Sequence, residues 1–199
     1  MTIKELDDKL NDPRFQDPKN GDIFYNFFIY QYDAHNEYDI RAQIMEFKEH
    51  LIRPTNYVDV LCLNLFEEFC HYLSIKQIMH RPMLEYQLEK EKTNPDATMN
   101  TLSRNAHSEG FIHYLHEHIM AHVNIRDDKK RPFIFVYGIG SMYPYIRVNE
   151  LLTLYEQYNE TWKYKIIVFY PGHRENNAFR LFGLLPDHHT YRATLLINE

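Results

Sequence analysis

The stretch FIFVYGIGSMYPYIRVNELL, residues 133–152, decides the fold class of this chain. An apolar run at 133–137 leads into a turn that contains glycine, and then into residues with the spacing of an amphipathic helix. A second apolar run, KIIVFY at 165–170, follows. Nearly continuous apolar runs are typical of parallel strands that helices cover on both faces. Strand, helix and strand in this order predict a βαβ unit.

Earlier segments extend the same alternation. The stretches DIFYNFFIYQY at 22–32 and YVDVLCL at 57–63 are rich in aromatic and β-branched residues and predict strands. Apolar residues recur every three or four positions at 38–52 and 65–79, which predicts helices. We therefore expect a three-layer α/β fold in which helices flank a mainly parallel sheet. No repeat or Gly/Ser-rich linker divides residues 1–199, which we interpret as a single domain.

The remaining segments complete this prediction. Residues 74–126, between the second and third strands, predict a helical insertion. Pro95 and its polar neighbours favour a loop at 92–100, followed by a second helix from about residue 101 to 125. At the C-terminus, RLFGLL at 180–185 and YRATLLI at 191–197 predict two strands, joined by a turn, that form an antiparallel edge of the sheet.

The composition limits the classes of function. A net charge of −6 and a pI near 6.0 disfavour a protein whose main task is to grip nucleic acid. An aromatic content of 15% indicates either an aromatic core or a protein-binding face. Cys62 and Cys70 form no CxxC pair and favour reduced thiols. Without a signal peptide or a long uncharged apolar segment, we expect a cytoplasmic protein with no membrane partner.

The loops after the last two predicted parallel strands, GIGSMYP and PGHRENN, should lie on one edge of the sheet, where such folds bind ligands. Gly138, Gly140 and Ser141 resemble part of a phosphate loop, but its lysine is missing. Tyr143 stands where a dinucleotide fingerprint has its third glycine. Ser141 also lacks the flanking glycines of a GxSxG nucleophile. A tight structural turn is favoured over nucleotide binding, and no complete catalytic motif is present.

Histidines at 113–122 superficially suggest a metal site. On a helix, His113 and His116 point to nearly the opposite side from His118 and His122. The glutamate of an HExxH motif is absent. We therefore predict a polar helix face, with neither a metal site nor a cofactor.

Arginines accompany the loops and the segments after them. They could bind an anion or an acidic partner, or pair internally with carboxylates. Their concentration near one edge indicates a functional surface there. The candidate ligand- or partner-binding residues are Gly138, Gly140, Ser141, Tyr143, Pro144, Arg147, Pro171, Gly172, His173, Arg174, Arg180 and Arg192.

Three ordered segments, FVYGIGSMYPYIRVNELL, YKIIVFYPG and FRLFGLLPDHHTYRATLL, together resemble the BrxB family of BREX phage-defence systems. The earlier FFIYQYDAHNEYDIR, a strand leading into an acidic turn and an arginine, is also similar to that family. The resemblance implies a small cytosolic protein encoded with an AAA+ ATPase (BrxC), an adenine methyltransferase (PglX) and an alkaline-phosphatase-like protein (PglZ). It supplies no catalytic residues.

The resemblance implies a non-enzymatic assembly subunit that docks PglZ, contacts other BREX components, and meets nucleic acid only indirectly. The alternative is a degenerate nucleotide- or nucleic-acid-binding module. That module would hold phosphate with the GIGS amides and with Arg147, Arg174 or Arg180.

Overall fold

A computed structural model describes residues 2–16, 27–52, 58–124, 132–158, 163–175, 178–186 and 194–195. The described strands are β1 (Phe27–Tyr32), β2 (Val60–Asn64), β3 (Gln77–Ile78), β4 (Arg81–Pro82), β5 (Phe133–Tyr137), β6 (Lys165–Glu175), β7 (Ala178–Leu181), β8 (Leu185–Pro186) and β9 (Thr194–Leu195). The described α-helices are α1 (Ile3–Asn11), α2 (Pro13–Gln16), α3 (Glu37–Leu51), α4 (Leu65–Ile75), α5 (Met83–Glu91), α6 (Pro95–Ala106), α7 (Glu109–Val123) and α8 (Val148–Tyr155). Short 3₁₀ helices occupy Ala34–Asn36, Gly140–Met142 and Glu156–Tyr158.

The central sheet is parallel, with the strand order β2-β5-β6-β1-β9. Strand β6 continues beyond the end of β1, which lies at Tyr32 opposite Pro171. This extension pairs antiparallel with β7, and β7 pairs antiparallel with β8. The predicted α/β fold, with a mainly parallel sheet and an antiparallel C-terminal edge, is confirmed.

The C-terminal strands differ in detail from the prediction. RLFGLL is not one strand, because β7 ends at Leu181 and a turn separates it from β8. Phe182 and Gly183 have φ angles of 58° and 73°, which an extended strand cannot contain. Residues 194–195 pair parallel with β1 instead of antiparallel with 180–185. Apolar patterning indicates a strand but not the direction of its neighbour, so this pairing could not be predicted from the sequence.

Helices cover both faces of the sheet, as predicted. In β1, Phe28 and Tyr30 point to the face of α1 and α3, whereas Phe27 and Ile29 point to the other face, because successive side chains in a strand alternate. Helices α4, α7 and α8 cover this second face. Buried side chains on the α1 and α3 face include Leu6, Leu10, Ile44, Phe47 and Leu51, and those on the other face include Phe69, Phe111, Ile112, Leu115 and Leu151.

The insertion contains more helices than the sequence predicted. A β3–β4 hairpin follows α4, and the predicted helix at 101–125 is two helices, α6 and α7. Pro95 begins α6, where its missing N–H costs no helical hydrogen bond. The Asn94 side chain caps this end by accepting from the N–H of Ala97 at 3.1 Å. The predicted loop at 92–100 is therefore confined to 92–94.

A serine separates the last two insertion helices. The Oγ of Ser108 accepts from the N–H of Phe111 at 3.3 Å and so caps the beginning of α7. Helix α7 then buries Phe111 and Ile112 completely against the sheet. The insertion therefore supplies part of the core. Among the described helices, none combines the length and hydrophobicity needed to cross a membrane.

Candidate functional site

The carboxyl ends of β1, β2, β5 and β6 share one edge of the parallel sheet, as the sequence predicted for the last two. The residues at these ends and in the loops beyond them, together with the extension of β6 and the turn and strand after β7, form one surface. The prediction of a loop at PGHRENN is wrong for residues 171–175, because they continue β6 and pair with β7. We call this surface the loop edge and define it as residues 31–38, 64–67, 138–147, 171–175 and 180–186. All described candidate residues lie on it. Arg192 lies outside the described residues.

Gly138 begins the turn after β5 and lies against the end of β2. Its φ is +74°, in the left-handed region that glycine adopts readily. A Cβ at this position would lie 2.3 Å from Oδ1 of Asn64. That oxygen caps α4 by accepting from the N–H of Phe66 at 3.2 Å. Glycine therefore permits two neighbouring loops of the edge to pack closely.

The GIGS turn closes on itself. The backbone amides of Ser141, Met142 and Tyr143 donate to carbonyls three residues earlier, at 3.1, 3.1 and 3.3 Å. A phosphate loop instead directs its amides outward to the phosphate oxygens. These three amides are engaged within the 3₁₀ turn, which favours the structural interpretation of the motif. The peptide bond between Tyr143 and Pro144 is cis.

Ser141 joins a polar network that the sequence did not reveal. Nη2 of Arg41 donates to Oγ of Ser141 at 3.0 Å, and Nε of Arg41 pairs with Oε1 of Glu37 at 2.7 Å. The hydroxyl of Tyr32 donates to the other oxygen of Glu37. Burial and then this hydrogen bond raise the pKa of Tyr32, so it remains a donor. The network ties the loop after β5 to the beginning of α3.

Arg147 ties the same loop to β8. Its Nη1 donates to the carbonyls of Pro186 at 3.0 Å and Leu185 at 3.4 Å. Its guanidinium also lies 5.6 Å from the ring centre of Tyr143. The backbone N–H of Arg147 donates to Glu150 at 2.8 Å. Arg147 thus holds two parts of the loop edge together.

The other two candidate arginines that the structure describes, Arg174 and Arg180, also have internal partners. Nε of Arg180 lies 2.5 Å from a carboxylate oxygen of Glu175. The guanidinium of Arg174 lies over the ring of Phe179, 5.9 Å from its centre. The backbone N–H of Arg174 donates to Oε1 of Gln31 at 3.0 Å. The three described candidate arginines, Arg147, Arg174 and Arg180, therefore do not converge on one anion site.

A cleft of about 390 Å³ opens between the end of β1 and the turn after β7. Residues 31–35 form one wall, and Gly172, His173 and the pair Phe182 and Gly183 form the other. Of the sequence candidates, the cleft contains Gly172 and His173. The sequence analysis named no candidate residue on the wall formed by 31–35, because the acidic turn after this strand contributed only to the family resemblance.

Asp33 supplies the one carboxylate among the described residues that line this cleft. Its Oδ1 accepts from the backbone N–H of His35 at 2.9 Å and lies 2.7 Å from Nδ1 of the same histidine. These contacts, the backbone one first, lower the pKa of Asp33 from its ordinary value. The carboxylate is therefore ionised at neutral pH, and its side chain is 65% exposed.

Apolar side chains are exposed along the loop edge. Tyr143 and Phe182 meet edge to face, with ring centres 6.3 Å apart, and each is more than one-third exposed. The β7–β8 turn also exposes Leu184 to 75%. Tyr38 at the beginning of α3 and Phe66 at the beginning of α4 are exposed on the same edge. Tyr143 was a sequence candidate, whereas the other four were not.

The histidines of α7 divide as predicted between two sides. His118 lies 3.0 Å from Glu68, and His122 lies 3.1 Å from Asp59. His116 instead stacks on Tyr158, with ring centres 4.9 Å apart. Within the described ranges, no three histidine, cysteine or acidic side chains are grouped to hold a metal ion.

Comparison with known proteins identifies a family whose model this chain matches. The model of the family described as BREX protein BrxB matches residues 61–196, from β2 to the C-terminal segment. A BREX protein BrxB of Bacillus cereus (strain H3081.97) is 21% identical, over 99% of this chain and 96% of the relative. A BREX protein BrxB of Escherichia coli O9:H4 (strain HS) is 20% identical, over 93% of this chain and 90% of the relative. No solved structure matches.

Proposed function

Because the chain belongs to the BrxB family, we propose that it is an accessory subunit of a BREX phage-defence complex whose loop edge docks a larger component. The partner we name first is PglZ, the alkaline-phosphatase-like protein that the resemblance implies. Contacts with the ATPase BrxC and the methyltransferase PglX would follow within the same complex. The subunit would act in the cytoplasm, and it would meet nucleic acid only through its partners.

The distribution of exposed apolar side chains carries this proposal. Of the eleven large apolar side chains that are exposed in the described chain, five lie on the loop edge, which is a minor part of the sequence. Binding hot spots are enriched in aromatic residues and arginine, and water is excluded around them. The loop-edge set is Tyr38, Phe66, Tyr143, Phe182 and Leu184.

Side-chain contacts hold in place the loops that carry these exposed apolar residues, and this suits docking. The contact of Arg41 with Ser141 and the contacts of Arg147 with the β8 carbonyls connect separate loops through side chains. Loops held in this way lose less conformational entropy when a partner binds. Arg41 and Arg147 are therefore best suited to hold the exposed aromatic residues of the loop edge in position before a partner binds.

We also propose that the subunit has no catalytic step of its own. Oγ of Ser141 accepts from Arg41, which is a donor and cannot serve as the general base of a serine nucleophile. The nucleotide-binding alternative has little support, because the amides of residues 141–143 and the candidate arginines Arg147, Arg174 and Arg180 have internal partners. It becomes an outcome of the experiment below.

Co-elution with PglZ tests the proposal. The purified chain is mixed with PglZ from the same operon and run on a size-exclusion column, as wild type, Leu184→Glu and Leu88→Glu. Leu88 is a matched control, since it is an exposed leucine (54%) on α5 in the insertion. We expect co-elution of wild type and Leu88→Glu, and its loss with Leu184→Glu, because a charge would be buried at the interface.

The other outcomes are informative. Loss with Leu88→Glu alone would move the docking surface to the insertion. If wild type does not co-elute with PglZ, that partner is rejected. Titration with nucleotides and DNA then tests the alternative, for which the affinity should fall steeply with added salt.

A further inference from the structure

The loop-edge cleft has the chemistry of an acceptor site. Among its described lining residues, Asp33 supplies the one carboxylate, none is a lysine or arginine, and the basic side chains are the imidazoles of His35 and His173. Both contacts of Asp33 with His35 use the same atom, Oδ1. Within the described part of the chain, Oδ2 therefore has no hydrogen-bond donor and remains available to one from outside.

Cations near the cleft are held by other groups. The backbone N–H of Arg174 donates to Gln31 beside the cleft, and its guanidinium lies over Phe179. Arg180 pairs with Glu175, and Arg41 pairs with Glu37. The negative charge of Asp33 is thus not neutralised by a neighbouring arginine of this chain in the described structure.

The opposite wall supplies an aromatic surface and open space. Phe182 lines the cleft and is 37% exposed. Gly183 lies beside the imidazole of His173, where a Cβ would come within 3.3 Å of that ring, and so leaves the wall open. A volume of about 390 Å³ admits a short extended segment of chain as well as one side chain.

We propose that this cleft receives an arginine carried by an extended segment of the docked partner. The guanidinium donates to Oδ2 of Asp33 and packs against the ring of Phe182, a combination that suits its planar, multidentate shape better than that of lysine. The net charge of −6 favours the approach of a basic segment. This inference rests on the proposed docking function and names the partner group that the edge recognises.

The first test compares two charge-neutralising variants in calorimetric titrations with PglZ. Asp33→Asn keeps an oxygen that can accept from the His35 N–H, because asparagine caps as well as aspartate does. Asp39→Asn is the matched control, since Asp39 is an exposed residue of the first turn of α3 that lies outside the cleft. We expect Kd to rise about tenfold for Asp33→Asn and by less than about twofold for Asp39→Asn.

The second test uses a probe that does not need the partner. The peptide Ac-Gly-Arg-Gly-NH₂ is titrated into ¹⁵N-labelled protein, with the corresponding citrulline peptide as the uncharged control. With the arginine peptide, we expect the amide signals of Asp33, His35, Gly172 and His173 to shift saturably, with a Kd in the millimolar range. These shifts should disappear in Asp33→Asn and should be absent with citrulline.

The two tests separate the inference from the function on which it rests. If Leu184→Glu abolishes PglZ binding while Asp33→Asn leaves Kd unchanged, the docking function stands and the arginine site is wrong. If the arginine and citrulline peptides shift the same signals equally, the site is also overturned. Arginine-specific shifts without any binding of PglZ would retain the site and reject that partner.

Discussion

Glycines at the loop edge lie where a side chain would collide with a neighbouring segment. A Cβ on Gly172 would lie 2.0 Å from the carbonyl oxygen of Arg180, which belongs to the backbone of β7. A Cβ on Gly140 would lie 2.8 Å from the ring of Phe182, a partly exposed side chain that can turn away. A side chain at position 172 would therefore require the backbone of β7 to move, whereas one at position 140 would require the ring of Phe182 to move.

We expect Gly172→Ala to reduce the free energy of unfolding by about 1–3 kcal/mol, because β6 and β7 would have to separate. Gly140→Ala should reduce it less, yet, if PglZ docks on the loop edge as proposed, should weaken PglZ binding by displacing Phe182 from that surface. Urea denaturation and titration with PglZ measure the two effects. Equal stability of Gly172→Ala and wild type would contradict the close strand approach.

For individual residues, the sequence allowed correct predictions only where a motif lay within one short segment. Gly138, Gly140 and Ser141 predicted a tight turn after a strand, which the structure contains. The contact of Arg41 with Ser141 could not be predicted, since it joins residues that are 100 positions apart. Asp33 also escaped notice, because one aspartate after a strand is an ordinary helix-capping residue until the opposite wall of the cleft is known.

At the scale of elements, side-chain caps determine where one helix of the insertion ends and the next begins. The sequence placed a break around Pro95, although a proline is tolerated in the first turn of a helix. The true boundary between α6 and α7 depends on Ser108, whose Oγ also donates to the carbonyl of Asn105 at 2.7 Å. One serine thus caps the beginning of α7 and bonds to the end of α6. Such a dual contact becomes visible only when both helix ends are positioned.

Replacing this serine tests the importance of the boundary. We expect Ser108→Ala to reduce the free energy of unfolding by about 1 kcal/mol, because the N–H of Phe111 loses its capping acceptor. Ser74→Ala is the control, since Oγ of Ser74 donates to the carbonyl of His71 within its own helix. That change should stay within about 0.5 kcal/mol. Thermal and urea unfolding that gave equal effects for both variants would remove the capping role.

At the scale of the whole molecule, the apolar runs at 133–137 and 165–170 predicted buried parallel strands correctly. The strand order could not be predicted from the sequence, because apolar runs do not specify which strands become neighbours. The extension of β6 past β1, which forms part of one wall of the cleft, depends on its antiparallel pairing with β7. The proposed docking surface is therefore a property of the topology as much as of the loop motifs.

Hydrogen exchange of the chain with and without PglZ tests the docking surface most directly. We expect slower exchange on complex formation in peptides that cover 33–41, 138–147 and 172–184, because the partner would exclude water from the loop edge. Peptides that cover the insertion at 83–106 should exchange at unchanged rates. Protection confined to the insertion, with the loop edge unaffected, would contradict docking at the carboxyl ends of the strands.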